Sequence, residues 1–485
     1  GALGAGPVAD AFMVAFRLPN HFRAVLGEGA FNSAFVPTYA SILETDGPQA
    51  AQTFRSQILA WVCVVNLVLL AIGVGATAWL VILVAPGFVG DSARLELAVS
   101  LTRVTFPYLF CLSIVVLLSG VLNAHGRFAV AAGASILLNL AMAGLLLLAE
   151  RFPTAGHAAA AGVLVGGVAQ LLLLLLAVWR AGLPFRITWP RWSQSVDTFV
   201  RRFGPAVLGA GGIQLAVFAD TIIATLLPAG SISYLYYADR LYQLPLAVIG
   251  IALGTAILPD LSRRVAIGDE AGAAAQLSKS ILVALVVGIP CAVILAVHGK
   301  WIMEILFARG AFGTSAVDGS ASALAAYAVG LPAAICLRAL VAAFHARGDT
   351  ATPVKVLAFS TGVNVALKVV LVGPLIHAGL AAATAVGAWV YAGSLAVILS
   401  RRRHLRPRPG EWAVGSVAAA GGLIMAAANF MLMGKASSEL GTLFSPSPLL
   451  VPLFVMVGGL AVCYSALLFV GFWAGRLVER KARQA

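Results

Sequence analysis

Ten ionisable residues stand on stretches that are otherwise almost wholly apolar. Asp10, Arg17, Arg23 and Glu28 lie along the first such stretch, and Asp239 and Arg240 lie at the matching place of a later one. Arg103, Asp220, Arg338 and Lys368 complete the set. A charge at the centre of a bilayer costs roughly 2.5–3.5 kcal/mol on insertion scales, so it turns to a cavity or to a partner. Arg17, Arg23 and Arg240 are therefore expected to point into one cavity, with a carboxylate near each to hold it when empty. Such a cavity selects an anion, and the planar guanidinium fork matches phosphate oxygens in particular. Arg103, close to the end of its stretch, reads instead as a snorkelling side chain.

Lys368, within VNVALKVVLVG, poses a separate problem. Desolvation penalises an ammonium, so it needs an opposite charge. Asp220 is the carboxylate that stands midway along an apolar stretch of the same half. Asn364 lies one turn before Lys368 on the same helix face, and Thr384 on the next helix adds an oxygen. Asp, Asn and Thr oxygens from three helices make a Na⁺-type site, into which Lys368 would put its own ammonium as an internal pair with Asp220. No catalytic constellation accompanies these groups. The seven histidines are scattered, without HExxH, GxSxG or a Walker loop, and His345 and His377 read as solvated loop-end residues. The five cysteines have neither CxxC nor metal-ligand spacing and read as small buried apolar side chains. Neither cofactor nor metal is expected.

The elements that must position these charges follow from composition. Of 485 residues, 61% are hydrophobic and 11% charged, with a mean hydropathy of +0.97. A soluble domain has about 25% charged residues, so lipid is the solvent for most of this chain. Spans of about 20 apolar residues are expected near 8–26, 56–85, 104–124, 128–149, 157–179, 203–227, 233–259, 280–299, 319–344, 354–375, 378–400, 412–434 and 449–475. The excess of 32 Lys and Arg over 19 Asp and Glu falls in every second loop. This is the positive-inside pattern rather than a nucleic-acid surface, and it places the basic loops and the C-terminus in the cytoplasm. Gly1 then lies outside the cell, and a first transmembrane helix is expected before it, giving a parent of fourteen spans.

The chain also repeats. Pro107 and Asn139 recur as Pro332 and Asn364, each 225 residues further on, and Ala15-Phe16-Arg17-Leu18 recurs as Ala238-Asp239-Arg240-Leu241. The expected fold is an all-α polytopic membrane protein of two parallel-repeat six-helix lobes. Residues 1–180 form the first lobe without its first helix, and residues 181–202 a cytoplasmic interfacial helix with Trp192, Val196 and Phe199 on one face. Residues 203–401 form the second lobe, and 402–485 two further spans and a basic tail. Pro19, Pro245, Gly27, Gly29, Gly250 and Gly254 are expected to interrupt the two charge-bearing helices.

The stretches RLPNHFRAVLGEGAFNSAFVPTYA (17–40), YYADRLYQLPLAVIGIALGTAILPDLSR (236–263) and HARGDTATPVK (345–355) resemble the signature of the MurJ/MviN family. That family sits within the multidrug/oligosaccharidyl-lipid/polysaccharide exporter superfamily. The resemblance covers essentially the whole chain. It implies two lobes in a V, with two C-terminal helices forming a groove for an undecaprenyl tail. It implies a lipid II flippase of the bacterial inner membrane, used in cell-wall biogenesis. The partners it implies are undecaprenyl-pyrophosphate-linked lipid II, membrane lipids and cell-wall synthesis proteins. Asp10, Arg23, Glu28, Ser233, Asp239 and Arg240 match family positions that matter for moving lipid II, and the family also has a basic residue where Arg17 stands. Some relatives have an acid at the Lys368 position, and Gln243 stands where an acid is often found. A flippase for another polyprenyl-pyrophosphate saccharide stays open here. So does a cation-coupled drug exporter, although a drug cation would favour an acidic cavity. A membrane enzyme such as a polyprenyl-phosphate transferase would want an acidic pair or metal site at the membrane surface.

Overall fold

The computed structural model describes residues 3–25, 31–183, 185–186 and 188–405, together with positions 417, 420, 421 and 424. Among these, fourteen α-helices follow one another without a strand: α1 (Pro7–Val25), α2 (Phe31–Thr45), α3 (Gly47–Gly75), α4 (Thr77–Val84), α5 (Ser92–Thr105), α6 (Tyr108–Ala124), α7 (Phe128–Leu147), α8 (Ala155–Arg180), α9 (Gln194–Thr225), α10 (Ser231–Ala266), α11 (Glu270–Val297), α12 (Gly299–Phe307), α13 (Thr314–His345) and α14 (Ala351–Arg401). Several begin at a side-chain cap. Asp91, Thr154, Ser193 and Asp269 each accept a backbone N–H from the first turn of the helix they precede.

Eight helical segments of the described residues are long and apolar enough to cross a membrane. α1, which carries Asp10, Arg17 and Arg23, is not among them. Large apolar side chains face outward where water would penalise them: Leu147 is 86% exposed and Val370 67%. Along all of α7 only Ala134 is buried. An element that is apolar on its exposed faces has lipid as its solvent.

The sequence-based spans at 128–149, 157–179, 233–259 and 319–344 coincide with α7, α8, α10 and α13. Those at 354–375 and 378–400 are the two halves of α14, separated by Ile376 at φ 50°, ψ −125° just after Pro374. The interfacial helix expected over 181–202 does not form as one element. The described residues between Leu183 and Ser193 are not helical, and α9 begins only at Gln194. Pro190 brings no N–H and biases Trp189 away from helix. Instead the segment lies against α3. The Arg186 N–H donates to Ser56 Oγ (3.0 Å), Trp61 Nε1–H to the Arg191 carbonyl (3.2 Å) and the Ser193 hydroxyl to Gln57 (2.7 Å). Of the expected interruptions, those at Pro19, Pro245, Gly250 and Gly254 do not occur, because α1 and α10 run helical through them, while Gly27 and Gly29 lie outside the described residues. The two spans expected at 412–434 and 449–475 lie outside the described residues apart from the four positions above.

The chain divides into two compact units, Gly1–Ile232 with Gly310–Phe312, and Ser233–Arg309 with Gly313–Ala485. In the first, α6, α7 and α8 enclose a core around Leu118, Leu122, Leu174 and Val178. Gly162 and Gly166, spaced as GxxxG, let α8 approach α7 so closely that a Cβ would meet the Met142 and Leu138 Cα atoms at 2.6 and 2.8 Å. An aromatic stack of Phe31, Phe35, Tyr39, Phe54 and Phe199 joins α2, α3 and α9.

In the second unit α13 is the central helix, and Gly330 sits 2.7 Å from the Ala385 Cα when given a Cβ. One end of this unit is tied by the motif residues 345–355. Gly348, at φ 74°, makes the turn. Asp349 accepts from the Thr352 N–H (2.9 Å) and hydroxyl (2.7 Å) and pairs with Arg402 at 2.7 Å. Arg347 reaches Glu270 on α11 at 2.6 Å. These bonds fix the ends of α11, α13 and both ends of α14. The Thr352 hydroxyl, then the Arg402 guanidinium, hold the Asp349 carboxyl far below its usual range. A depressed carboxylate contributes its stability above the unfolded value, near pH 4, and loses it as pH falls through the folded value. The difference in melting temperature between the parent and Asp349→Asn is therefore expected to stay constant from pH 8 to 5 and to shrink below about pH 4. Thermal unfolding in detergent across that range checks it; a difference that already fades between pH 7 and 6 would show that Asp349 is not so held.

Candidate functional site

Asp10, on the first turn of α1, is wholly buried. Its Oδ2 accepts the Gly230 N–H at 2.6 Å and lies 3.9 Å from Arg94 Nη2. Gly230 adopts φ 95°, a conformation a side chain would strain, and so aims its N–H at the carboxylate. Arg94 is also buried, lies over the Phe88 ring at 4.2 Å and faces Asp91 at 3.9 Å. Gly87 completes the packing: its N–H donates to the Thr225 hydroxyl (3.3 Å), and a Cβ there would collide with the Thr225 carbonyl at 2.1 Å. Asp10 thus ties the start of α1 to α5 and to the loop that follows α9.

Further along α1, Arg17 is half-buried and donates to the Thr221 hydroxyl of α9. His21 stacks on Phe218 with ring centroids 4.2 Å apart. Thr105 on α5 donates to the Ala15 carbonyl at 3.0 Å. Arg23 falls on the last turn of α1, and its side chain, like Glu28, lies outside the described residues.

In the second unit Ser233 is fully buried in the first turn of α10. Asp239 is half-buried and accepts from the Gln243 amide one turn on. An acid at position 243 could make no such donation at neutral pH, so this chain's glutamine and its aspartate form a matched pair. Arg240 is exposed and rests on the Tyr236 ring at 4.7 Å. Its guanidinium edge faces outward from an otherwise apolar helix.

Arg338, on α13, is likewise exposed. Its stem lies along α10 at Gly250 and Gly254, where an added Cβ would meet Arg338 Cγ at 3.4 Å and Cβ at 3.8 Å. Gly254 is two heptads from Arg240, on the same face and about 21 Å along the axis. The two glycines therefore make a seat for a second guanidinium rather than a break. The sequence signal for this was the pair of glycines, which periodicity alone cannot assign to a partner.

Lys368 is 2% exposed. Asn364, one turn before it, donates to the Ala383 carbonyl (3.1 Å), and the Thr384 hydroxyl donates to the Leu380 carbonyl (3.0 Å). These three residues sit on the two halves of α14 in the second unit, while Asp220, half-buried, sits on α9 in the first. His345 is exposed, as expected. His377 is not simply solvated. Its Nε2 lies 3.0 Å from both the Gly319 carbonyl and the Ser322 hydroxyl, and its ring meets Tyr234 edge-on, so it pins the break in α14 to α13.

The sequence profile of a family described as lipid II flippase MurJ matches residues 1–451. A protein of Rhizobium tropici named probable lipid II flippase MurJ is 38% identical over 409 residues, covering 83% of this chain and 76% of that protein. One of Burkholderia cenocepacia, named lipid II flippase MurJ, is 35% identical over 422 residues, 84% and 80% of the two chains. Among solved structures, a lipid II flippase MurJ in an inward closed conformation superposes with a TM-score of 0.79 at 20% identity, covering 96% of this chain and 93% of that one. An inward-facing multidrug resistance MATE family transporter gives 0.67 at 16% identity, covering 83% and 92%. Both share the fold.

The Asp10 contacts carry an expected outcome. Removing one partner of a buried charge pair costs about 3–5 kcal/mol because the other is left uncompensated. Asp10→Ala should lower stability by that order. Adding Arg94→Leu should recover part of the loss, read as a coupling in a double-mutant cycle of unfolding in detergent. Strict additivity would show that the two do not act as a pair.

Proposed function

The chain belongs to the MurJ family of lipid II flippases, and we propose that it carries lipid II across the bacterial cytoplasmic membrane by alternating access, its arginines holding the pyrophosphate. The observation that carries this reading is Arg240: a guanidinium exposed in the third turn of a membrane-length apolar helix and steadied by Tyr236, while Asp239 is engaged by Gln243. Arg338, seated two heptads along the α10 face, offers a second guanidinium toward the other end of the same helix. Two such steps suit a doubly charged head moving along the membrane normal. The cationic character speaks for an anionic substrate and against a drug cation.

Asp10 and Arg17 enter this reading as positioning residues, since each ties α1 to neighbouring elements. Arg23, Glu28 and Ser233 remain in the proposed substrate set through the family motif. The division into repeats at 1–180 and 203–401, with 402–485 appended, is part of the proposal. The matching turns support it: Gly126 at φ 72° ends α6 and Gly348 at φ 74° ends α13. So is the orientation with basic loops and C-terminus in the cytoplasm, supported by the exposed Arg180, Arg186, Arg191 and Arg201 beside the linker. The substrate passes chemically unchanged, and cell-wall synthesis proteins are its natural neighbours.

Two outcomes follow. In cells depleted of their own flippase, Arg240→Ala should fail to restore growth at normal membrane abundance. Losing a charge-assisted contact of this kind is worth roughly 10- to 100-fold in lipid II affinity, and Arg240→Lys should retain part of it because only the fork geometry is lost. Growth of the Arg240→Ala strain at ordinary levels would remove Arg240 from the proposal. For the driving force, Lys368 is proposed to supply, beside Asn364 and Thr384, the positive charge that Na⁺ would otherwise bring. Lipid II transport in proteoliposomes should be unchanged when K⁺ replaces Na⁺, and Lys368→Asp should introduce a Na⁺ response. Parent transport that rises with Na⁺ would refute this.

A further inference from the structure

The first unit contains a cavity of about 440 Å³ between α2, α3, α6 and α9. α3 lines it with Ile58, Trp61, Val62, Val65, Asn66 and Leu69, a single helical stripe some 16 Å long. One leaflet of hydrocarbon is about 15 Å deep. Valines and phenylalanines of α9 form the facing wall. The two polar wall residues, Asn66 and Ser113, are spent on each other and on backbone. Ser113 donates to Asn66 Oδ1 at 2.9 Å, and the Asn66 amide donates to the Val62 carbonyl at 2.8 Å. A water inside would want two to four polar partners, so a wall like this favours hydrocarbon.

The two ends of the cavity differ. At one end Trp61 and Trp192 meet edge-to-face, with centroids 5.7 Å apart, and Trp61 Nε1–H donates to the Arg191 carbonyl. Tryptophans with one apolar and one polar side mark the membrane–water boundary. Just beyond them the linker presents Arg186 and Arg191, both exposed, on backbone fixed to α3 through Ser56 and Trp61. Trp189, 85% exposed, stands beside them. A dry slot one leaflet deep, a tryptophan rim and two guanidiniums outside the rim together match an acyl chain, its glycerol region and a phosphate.

We propose that this cavity holds one acyl chain of a resident anionic phospholipid from the leaflet on the basic side, its phosphate met by Arg186 and Arg191. The site is separate from the Arg240 and Arg338 guanidiniums, and its depth fits a chain that stops at the bilayer midplane rather than a longer prenyl tail. Holding a lipid there fastens the linker to α3 and α9.

The test places the purified protein in nanodiscs of phosphatidylcholine containing either phosphatidylglycerol or phosphatidylcholine with brominated acyl chains, which quench tryptophan on contact. Brominated phosphatidylglycerol is expected to quench more strongly, and the excess is expected to vanish in Trp61→Phe/Trp192→Phe. In Arg186→Gln/Arg191→Gln the affinity for phosphatidylglycerol, from titration of the quenching, should fall about 30-fold, with the melting temperature in phosphatidylcholine alone unchanged. Val65→Phe, which fills the slot and leaves both arginines, should also lose the excess. Equal quenching by the two lipids, or an excess that survives in the tryptophan and Val65 variants, overturns the proposal. Displacement of the brominated lipid by undecaprenyl pyrophosphate at equal concentration also overturns it, because the slot would then belong to the substrate's tail.

Discussion

Every polar group that enters the hydrocarbon must find its partner within the chain, because the surrounding solvent offers none. The described structure follows from that constraint. Asp10 illustrates it most fully. A carboxylate at the first turn of α1 is tolerable only because Gly230, in a left-handed conformation, turns an N–H toward it and Arg94 brings an opposite charge from α5. Arg94 is in turn steadied by Phe88 and Asp91. One buried charge thereby fixes the relative placement of α1, α5 and the loop after α9. Thr105, Thr221 and His377 do the same on a smaller scale, each tying two elements through a hydroxyl or an imidazole.

Where no charge is present, closeness of backbones takes over. Lipid tails are as apolar as leucine, so burial alone does not drive helix association in the bilayer, and van der Waals contact between backbones gains weight. Gly162 and Gly166 against α7, and Gly330 against Ala385, are among the sites of such close contact. Gly250 and Gly254 use the same smallness differently, leaving room on α10 for the stem of Arg338. Arg338 held this way is exposed while its stem lies along α10.

The same rules explain how far the sequence could be read. Spans such as 128–149 and 157–179 are legible within a few residues of α7 and α8, because twenty apolar residues in a row have few alternatives to a membrane helix. The division of α14 at Ile376 falls in the gap expected between the spans at 354–375 and 378–400. Residues 181–202 were not. Their pattern of Trp192, Val196 and Phe199 satisfies a helix, yet the described backbone of the linker is used instead to reach Ser56, Gln57 and Trp61 on α3. Short amphipathic helices such as α2 and α12 also escaped, since they carry no membrane-length signal.

What the sequence determined by itself is the solvent, the membrane-length helices and the family. Hydropathy makes the chain a multi-pass helical protein, and the motifs at 17–40, 236–263 and 345–355 make it a lipid II flippase of the MurJ family. What only the tertiary structure decided is which charges are buried in contacts between elements and which are exposed. Asp10 and Arg240 look alike in one dimension, each a charge on an apolar helix. They differ because Gly230 and Arg94, 220 and 84 positions away, fold onto the first, whereas the second, exposed, rests on Tyr236 one turn before it on its own helix. Spacing along a chain fixes which face of a helix a residue occupies, but not what folds against that face.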